Sequence, residues 1–179
     1  MVQHLSEASI LLKNATIHDP LSEHNGNQTD IFIQNGIISK IGKSLNEESD
    51  RTINCEGLMV SPAFFDLRCH LDEPGNEHKE SIPSLCATAA AGGFSGLAAL
   101  PASDPPIQNK SAVQFVINRS ANELVDIYPL GAATENLEGN ELTELYDMKL
   151  AGARGYSNGN APYSKANVLY KILQYAGSF

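Results

Sequence analysis

Val60-Ser61-Pro62-Ala63-Phe64-Phe65-Asp66-Leu67-Arg68-Cys69-His70-Leu71-Asp72-Glu73-Pro74-Gly75 is the stretch on which the fold turns. An apolar run with two phenylalanines passes into a polar segment and stops at Pro74-Gly75, a strong turn signal. The pattern predicts a buried strand that delivers polar residues to its C-terminal end. Side chains two apart share a face of a strand. Arg68, His70 and Asp72 are therefore expected to project together, with Cys69 on the opposite face. On spacing alone, His70 reads as a satisfied polar residue more readily than as a metal ligand.

Downstream of this stretch, strand and helix signals alternate. Ser81 is placed to cap a helix through Leu85, Cys86 and Ala89; Pro83 sits in its first turn, where a missing N–H costs nothing, and Gly92-Gly93 stops it. Phe94 to Leu100 reads as the next strand, and Val113, Val116 and Ile117 share a face of a second helix. A third strand is expected at Asp126 to Ala132 and a third helix around Leu142, Leu145 and Tyr146. Ala153 to Tyr156 reads as a fourth strand, and Val168, Leu169, Ile172, Leu173 and Ala176 mark a fourth helix. Strand starts recur at roughly thirty residues, the length of a βα unit. Such repetition implies a parallel sheet with helices outside it, either doubly wound or part of a (β/α) barrel. No strand is followed by a G-x-G-x-x-G or Walker-type loop, so a phosphate cradle is not expected.

Upstream, the chain is β-rich. Ser9 to Asp19 is a strand-like run closed by Pro20, and the polar segment from Leu21 to Thr29 reads as a loop. Asp30 to Gln34 and Ile37 to Ile41 flank Asn35-Gly36, the residue pair that best fills a two-residue type I′ hairpin turn. Arg51 to Cys55 is a further short strand.

A 179-residue chain with 42% hydrophobic and 18% charged residues has the composition of a globular protein. Its net charge of −9 and pI near 4.9 argue against nucleic acid or an anionic membrane as a main partner. No apolar run has the length of a membrane span, and an N-terminus with Glu7 early and no basic start does not read as a secretion signal. Cys55, Cys69 and Cys86 lack C-x-x-C spacing and read as reduced thiols of a cytoplasmic protein.

The opening stretch resembles the cyclic amidohydrolases, the dihydroorotases in particular, whose first barrel strand reads roughly V-x-P-G-x-I-D-x-H-x-H-x-R-E-P-G. Val60, Pro62, Asp66, His70, Glu73, Pro74 and Gly75 fall in register. Ala90-Ala91-Gly92-Gly93-Phe94 also fits the family frame, which runs from Asn14 to about Ala176. The resemblance implies an α/β fold: the N-terminal part of an amidohydrolase (β/α)8 TIM-type barrel, preceded by strands of a small composite β-sandwich domain. Residues 1–58 would belong to the sandwich and 59–179 to the first four βα units of a longer protein's barrel.

The same resemblance implies zinc chemistry, with two histidines on the first strand and an aspartate after the fourth holding metal that activates water. Here the first histidine position is Arg68, the second is His70, and the aspartate position in Gly152-Ala153-Arg154-Gly155-Tyr156-Ser157-Asn158-Gly159-Asn160-Ala161-Pro162 is Asn158. A guanidinium has no lone pair to offer a cation, and an asparagine lacks the carboxylate charge. On the substrate side, the arginine position is Asp72 and the asparagine position after the second strand is Ala102. His70 is thus the remnant metal position, no catalytic or substrate-binding residue is assigned, and no cofactor is expected unless part of a zinc site survives. Arg68 and Asp72, four apart, are expected to pair, with Arg68 as a surrogate for the metal cation.

The resemblance, taken with these changes, implies a dihydroorotase-family protein of pyrimidine biosynthesis that is catalytically impaired or inactive, with a structural or regulatory role, as a homo-oligomer and as a partner of aspartate carbamoyltransferase. Two other readings stay open: a working dihydroorotase that interconverts carbamoyl aspartate and dihydroorotate, and a related cyclic-amide hydrolase such as an allantoinase or hydantoinase.

Overall fold

The computed structural model of the protein describes residues 9–163 and 165–179; Glu7 lies outside the described residues. The chain divides into two compact units, Met1–Pro62 and Ala63–Phe179. A two-residue strand, Met59–Val60, falls in the first unit and pairs with the first strand of the chain.

In the first unit, β1 (Ser9–Ile17), β2 (Gln28–Gln34), β3 (Ile37–Gly42) and β4 (Arg51–Asn54) form a sheet in the order β3-β2-β1-β4, with β5 (Met59–Val60) also on β1. The β2–β3 hairpin turns at Asn35 and Gly36, whose φ values of 53° and 74° are those a type I′ turn requires. Ala15, Ile17, Ile31 and Cys55 form its core. The register of β1 against β2 shifts between Leu12 and Ala15. At that shift the buried Asp30 carboxylate accepts the Asn14 N–H at 2.9 Å, the Lys13 ammonium at 3.0 Å and the Leu45 N–H at 3.0 Å.

The second unit alternates β6 (Phe64–Cys69), α1 (Ile82–Ala91), β7 (Phe94–Ala99), α2 (Lys110–Ser120), β8 (Asp126–Ala132), α3 (Leu145–Leu150), β9 (Gly155–Ser157) and α4 (Ala166–Ala176). All strand pairs are parallel, in the order β6-β7-β8-β9. The cap at Ser81 forms as its sequence suggests, its hydroxyl accepting the Ser84 N–H, and Asn109 caps α2 in the same way. Ile82, Val113, Val116, Leu145 and Met148 are almost wholly buried between sheet and helices. Burial of each such side chain contributes about 1.5–3 kcal/mol.

Two expectations need correction. The opening strand is not buried: Phe64 is 61% exposed and Leu67 79%, because β6 lies at the margin of the sheet with only β7 beside it among the described residues. Leu142 is not part of the third helix. It forms an isolated bridge with Thr134, and the Thr143 hydroxyl donates to the Ala132 carbonyl at 2.5 Å, so the segment is pinned to β8 and α3 begins only at Leu145.

Candidate active site

Parallel strands bring their C-terminal ends to one side of a sheet, and the loops that follow them form a common rim. Here the rim comprises His70 to Gly75 after β6, Leu100 to Asp104 after β7, Ala133 and Thr134 after β8, and Asn158 to Asn160 after β9. Every position singled out from the sequence lies on this rim or at the end of β6.

The first loop is held rigidly. Glu73 is 6% exposed; one carboxylate oxygen accepts the Ile82 N–H at 2.7 Å, at the start of α1, and the other accepts Arg119 Nε at 2.9 Å. Gly75 has φ +98°, and a Cβ there would sit 1.8 Å from the Asp104 carbonyl oxygen. Glycine is therefore required where the first loop crosses the second. Arg119 gave no signal in the sequence, since it lies on a helix 46 residues from its partner.

Asn158, 3% exposed, faces the end of β8 rather than the open rim. Its side-chain oxygen accepts the Thr134 N–H at 3.2 Å, and the Thr134 hydroxyl lies 3.0 Å from that oxygen and 2.9 Å from the amide nitrogen. The same hydroxyl accepts the Gly139 N–H at 2.9 Å. Thr134 is fully buried and is the functional neighbour that sequence reasoning missed.

Arg68 does not pair with Asp72. Its Nη2 donates to the side-chain oxygen of Asn160, and no ion pair among the described residues includes Asp72. The Asp72 backbone carbonyl instead accepts the Asn76 N–H at 2.8 Å in the following turn. Strand alternation ends with Cys69, so the rule that places residues two apart on one face no longer governs Asp72. Ala102 and Gly159 are neighbours: a Cβ on Gly159 would lie 3.4 Å from that of Ala102. His70 is exposed, while Cys69 points into the core, where burial first, and then Asp66, Glu80 and Cys86, push its thiol up to about 11. That thiol is protonated at neutral pH, and it lies in the core rather than on the rim.

The sequence profile of the Dihydro-orotase-like family matches residues 57–174. The chain belongs to the dihydroorotase-like family. It is 36% identical over 171 residues to the dihydroorotase of Acetivibrio thermocellus, covering 95% of this chain and 40% of that protein. It is 38% identical over 174 residues to the dihydroorotase of Caldicellulosiruptor saccharolyticus, with the same coverage. The chain thus spans about two fifths of the length of these relatives. Among solved structures it resembles the L-hydantoinase (dihydropyrimidinase) of Arthrobacter aurescens, at a TM-score of 0.74 and 22% identity over 96% of this chain and 39% of that one. It also resembles a dihydroorotase, at 0.64 and 15% over 96% and 49%. These likenesses establish the fold: the second unit is the N-terminal part of an amidohydrolase barrel.

One solved structure of this fold, an N-acyl-D-glutamate deacylase from Bordetella bronchiseptica at a TM-score of 0.64 and 15% identity, holds zinc. The residues of this chain do not fit such an ion. Zinc takes imidazole, thiolate or carboxylate donors. Of Arg68, His70 and Asn158, His70 alone is of that kind, and both acceptor directions of the Asn158 oxygen are already used by Thr134. Among the described residues no group of three His, Cys, Asp or Glu side chains is gathered as a metal site needs.

Proposed function

We propose that this chain is a dihydroorotase-like protein whose own residues do not sustain hydrolysis, and that it acts in pyrimidine biosynthesis through its surface rather than through turnover. The observation that carries this reading is the placement of Arg68. A permanent cation, bonded to Asn160, stands where an amidohydrolase of this family needs a neutral donor. Asn158 supports it, because its one oxygen is committed to Thr134 inside the fold. Aspartate carbamoyltransferase is the partner that family and pathway together suggest, and the natural compartment on this reading is the cytoplasm.

The test is elemental analysis for zinc together with dihydroorotate hydrolysis on the same sample of the protein, in its longest natural form. Absence of both is expected. Stoichiometric zinc with turnover would show that other parts of the protein rebuild a site around His70, and would sink the proposal. A second reading rests on Asp72 and Ala102, which offer neither a positive charge nor an amide to a substrate carboxylate. On that reading the substrate is a cyclic amide without a carboxylate, and turnover of a plain hydantoin with none of dihydroorotate would select it.

A further inference from the structure

We propose that Arg68 and Asn160 form a strap across the rim of the second unit, tying the loop after β9 to β6 through protein atoms alone. The ladder of a parallel sheet fixes each strand only to its neighbours. Backbone bonds join β6 to β7, β7 to β8 and β8 to β9, but β6 and β9 are not paired with each other among the described residues. No backbone bond ties these two strands directly, so a side-chain bond between them adds a constraint that the ladder lacks. The bond from Arg68 Nη2 to the Asn160 side-chain oxygen is such a constraint: it joins residues 92 apart in sequence and passes over two intervening strands.

Both ends of the strap are anchored. The Arg68 backbone N–H donates to the Asp66 carboxylate at 2.8 Å, which fixes the backbone from which the guanidinium extends. On the far side, β9 has only three residues. The turn that carries Asn160 is held by the Asn158 lock onto Thr134, by the Gly159 N–H on the Ser157 hydroxyl at 3.0 Å, and by the Ala161 N–H on the Asn158 carbonyl at 3.0 Å. A guanidinium suits this span because its reach is long, its charge is permanent, and a charge-assisted hydrogen bond is about twice as strong as a neutral one. Cross-linking of β6 to the β9 loop in this way needs no cation, and the positive charge of Arg68 disfavours one beside it. The strap stands whether or not the protein turns over a substrate.

Hydrogen exchange by mass spectrometry on the full chain reads this directly. Arg68→Gln is expected to speed exchange in residues 157–162 by roughly fivefold, the scale of losing one charge-assisted hydrogen bond from a locally opening segment, with β1 and β2 unchanged. Asn160→Ala should do the same, and the double variant should do no more than either alone. Arg68→Lys, which keeps one donor, should restore part of the protection, and zinc chloride or a chelator should leave the wild-type pattern as it is. Should Arg68→Gln loosen the whole chain, Asn160→Ala carries the test: it must speed exchange at residues 66–70. Unchanged exchange in either variant, additive effects, or protection of residues 157–162 by zinc would overturn the strap. None of these readouts depends on activity, so the strap and the proposed lack of turnover fail separately.

Discussion

At Asn158 a single side-chain oxygen is shared between two donors of one residue, the N–H and the hydroxyl of Thr134. Thr134→Val keeps the shape and removes the hydroxyl, which strips a partner from both atoms of the buried amide and from the Gly139 N–H. The expected cost is about 1–3 kcal/mol, the penalty for buried polar groups that lose a partner, with Thr134→Ser recovering most of it. Urea unfolding of the three proteins measures it, and equal midpoints would show that the lock carries no stability. The replaced residues Arg68, Asn158, Asp72 and Ala102 are all legible in the sequence, because they depart from a frame that is largely kept around them, Ala63 and Gly159 being further departures. Their partners are not. A threonine 24 residues away and an asparagine 92 residues away carry no local signal, and only the parallel stacking of four strands brings them to the rim.

Elements are more legible in the sequence than contacts. The type I′ hairpin at Asn35-Gly36, the Ser81 cap and the alternation of four strands with four helices all follow from local chemistry and appear where expected. Apolar spacing alone extends the third helix back to Leu142, whereas Thr143 is tied to β8 and α3 begins only at Leu145. The Asp30 clasp lies at the same scale, joining β1, β2 and the loop after β3. Burial alone would raise its carboxyl, but the Asn14 N–H, the Lys13 ammonium and the Leu45 N–H outweigh burial and hold it below the ordinary carboxylate range. With the folded value below the unfolded one, ionised Asp30 stabilises the folded state above about pH 4, and that contribution is lost as pH falls through the folded value. Asp30→Asn is therefore expected to flatten the acid limb of a stability-versus-pH curve. A curve of unchanged slope would assign acid sensitivity to other carboxylates.

For the molecule as a whole, the second unit presents four parallel strands whose margins, β6 and β9, each have one neighbour among the described residues. Unpaired margins invite pairing with another chain. Apolar side chains lie exposed on β6 and α4, among them Phe64, Leu67, Tyr170 and Leu173. We expect the 19.2 kDa chain to self-associate, in keeping with the homo-oligomer proposed from its family. Sedimentation should give a mass above that of one chain, and Leu67→Lys, a charge on the exposed margin, should lower it. A single-chain mass for both would remove the proposal. That the chain spans two fifths of its relatives was legible in the count of βα units, since about eight close a barrel.

The clearance at Gly75 bears on how such proteins come to be recognised at all. A side chain there would overlap the Asp104 carbonyl, so any sequence built on this backbone is held to glycine at that point, whatever it does or does not react with. The glycine of the Glu73-Pro74-Gly75 signature therefore records a steric obligation between two loops, and its glutamate a bond to Ile82 and Arg119, neither of which reports on catalysis. Ancestry inferred from the signature is sound, while an activity inferred from it has been inherited by resemblance and must be read afresh from the residues on the rim.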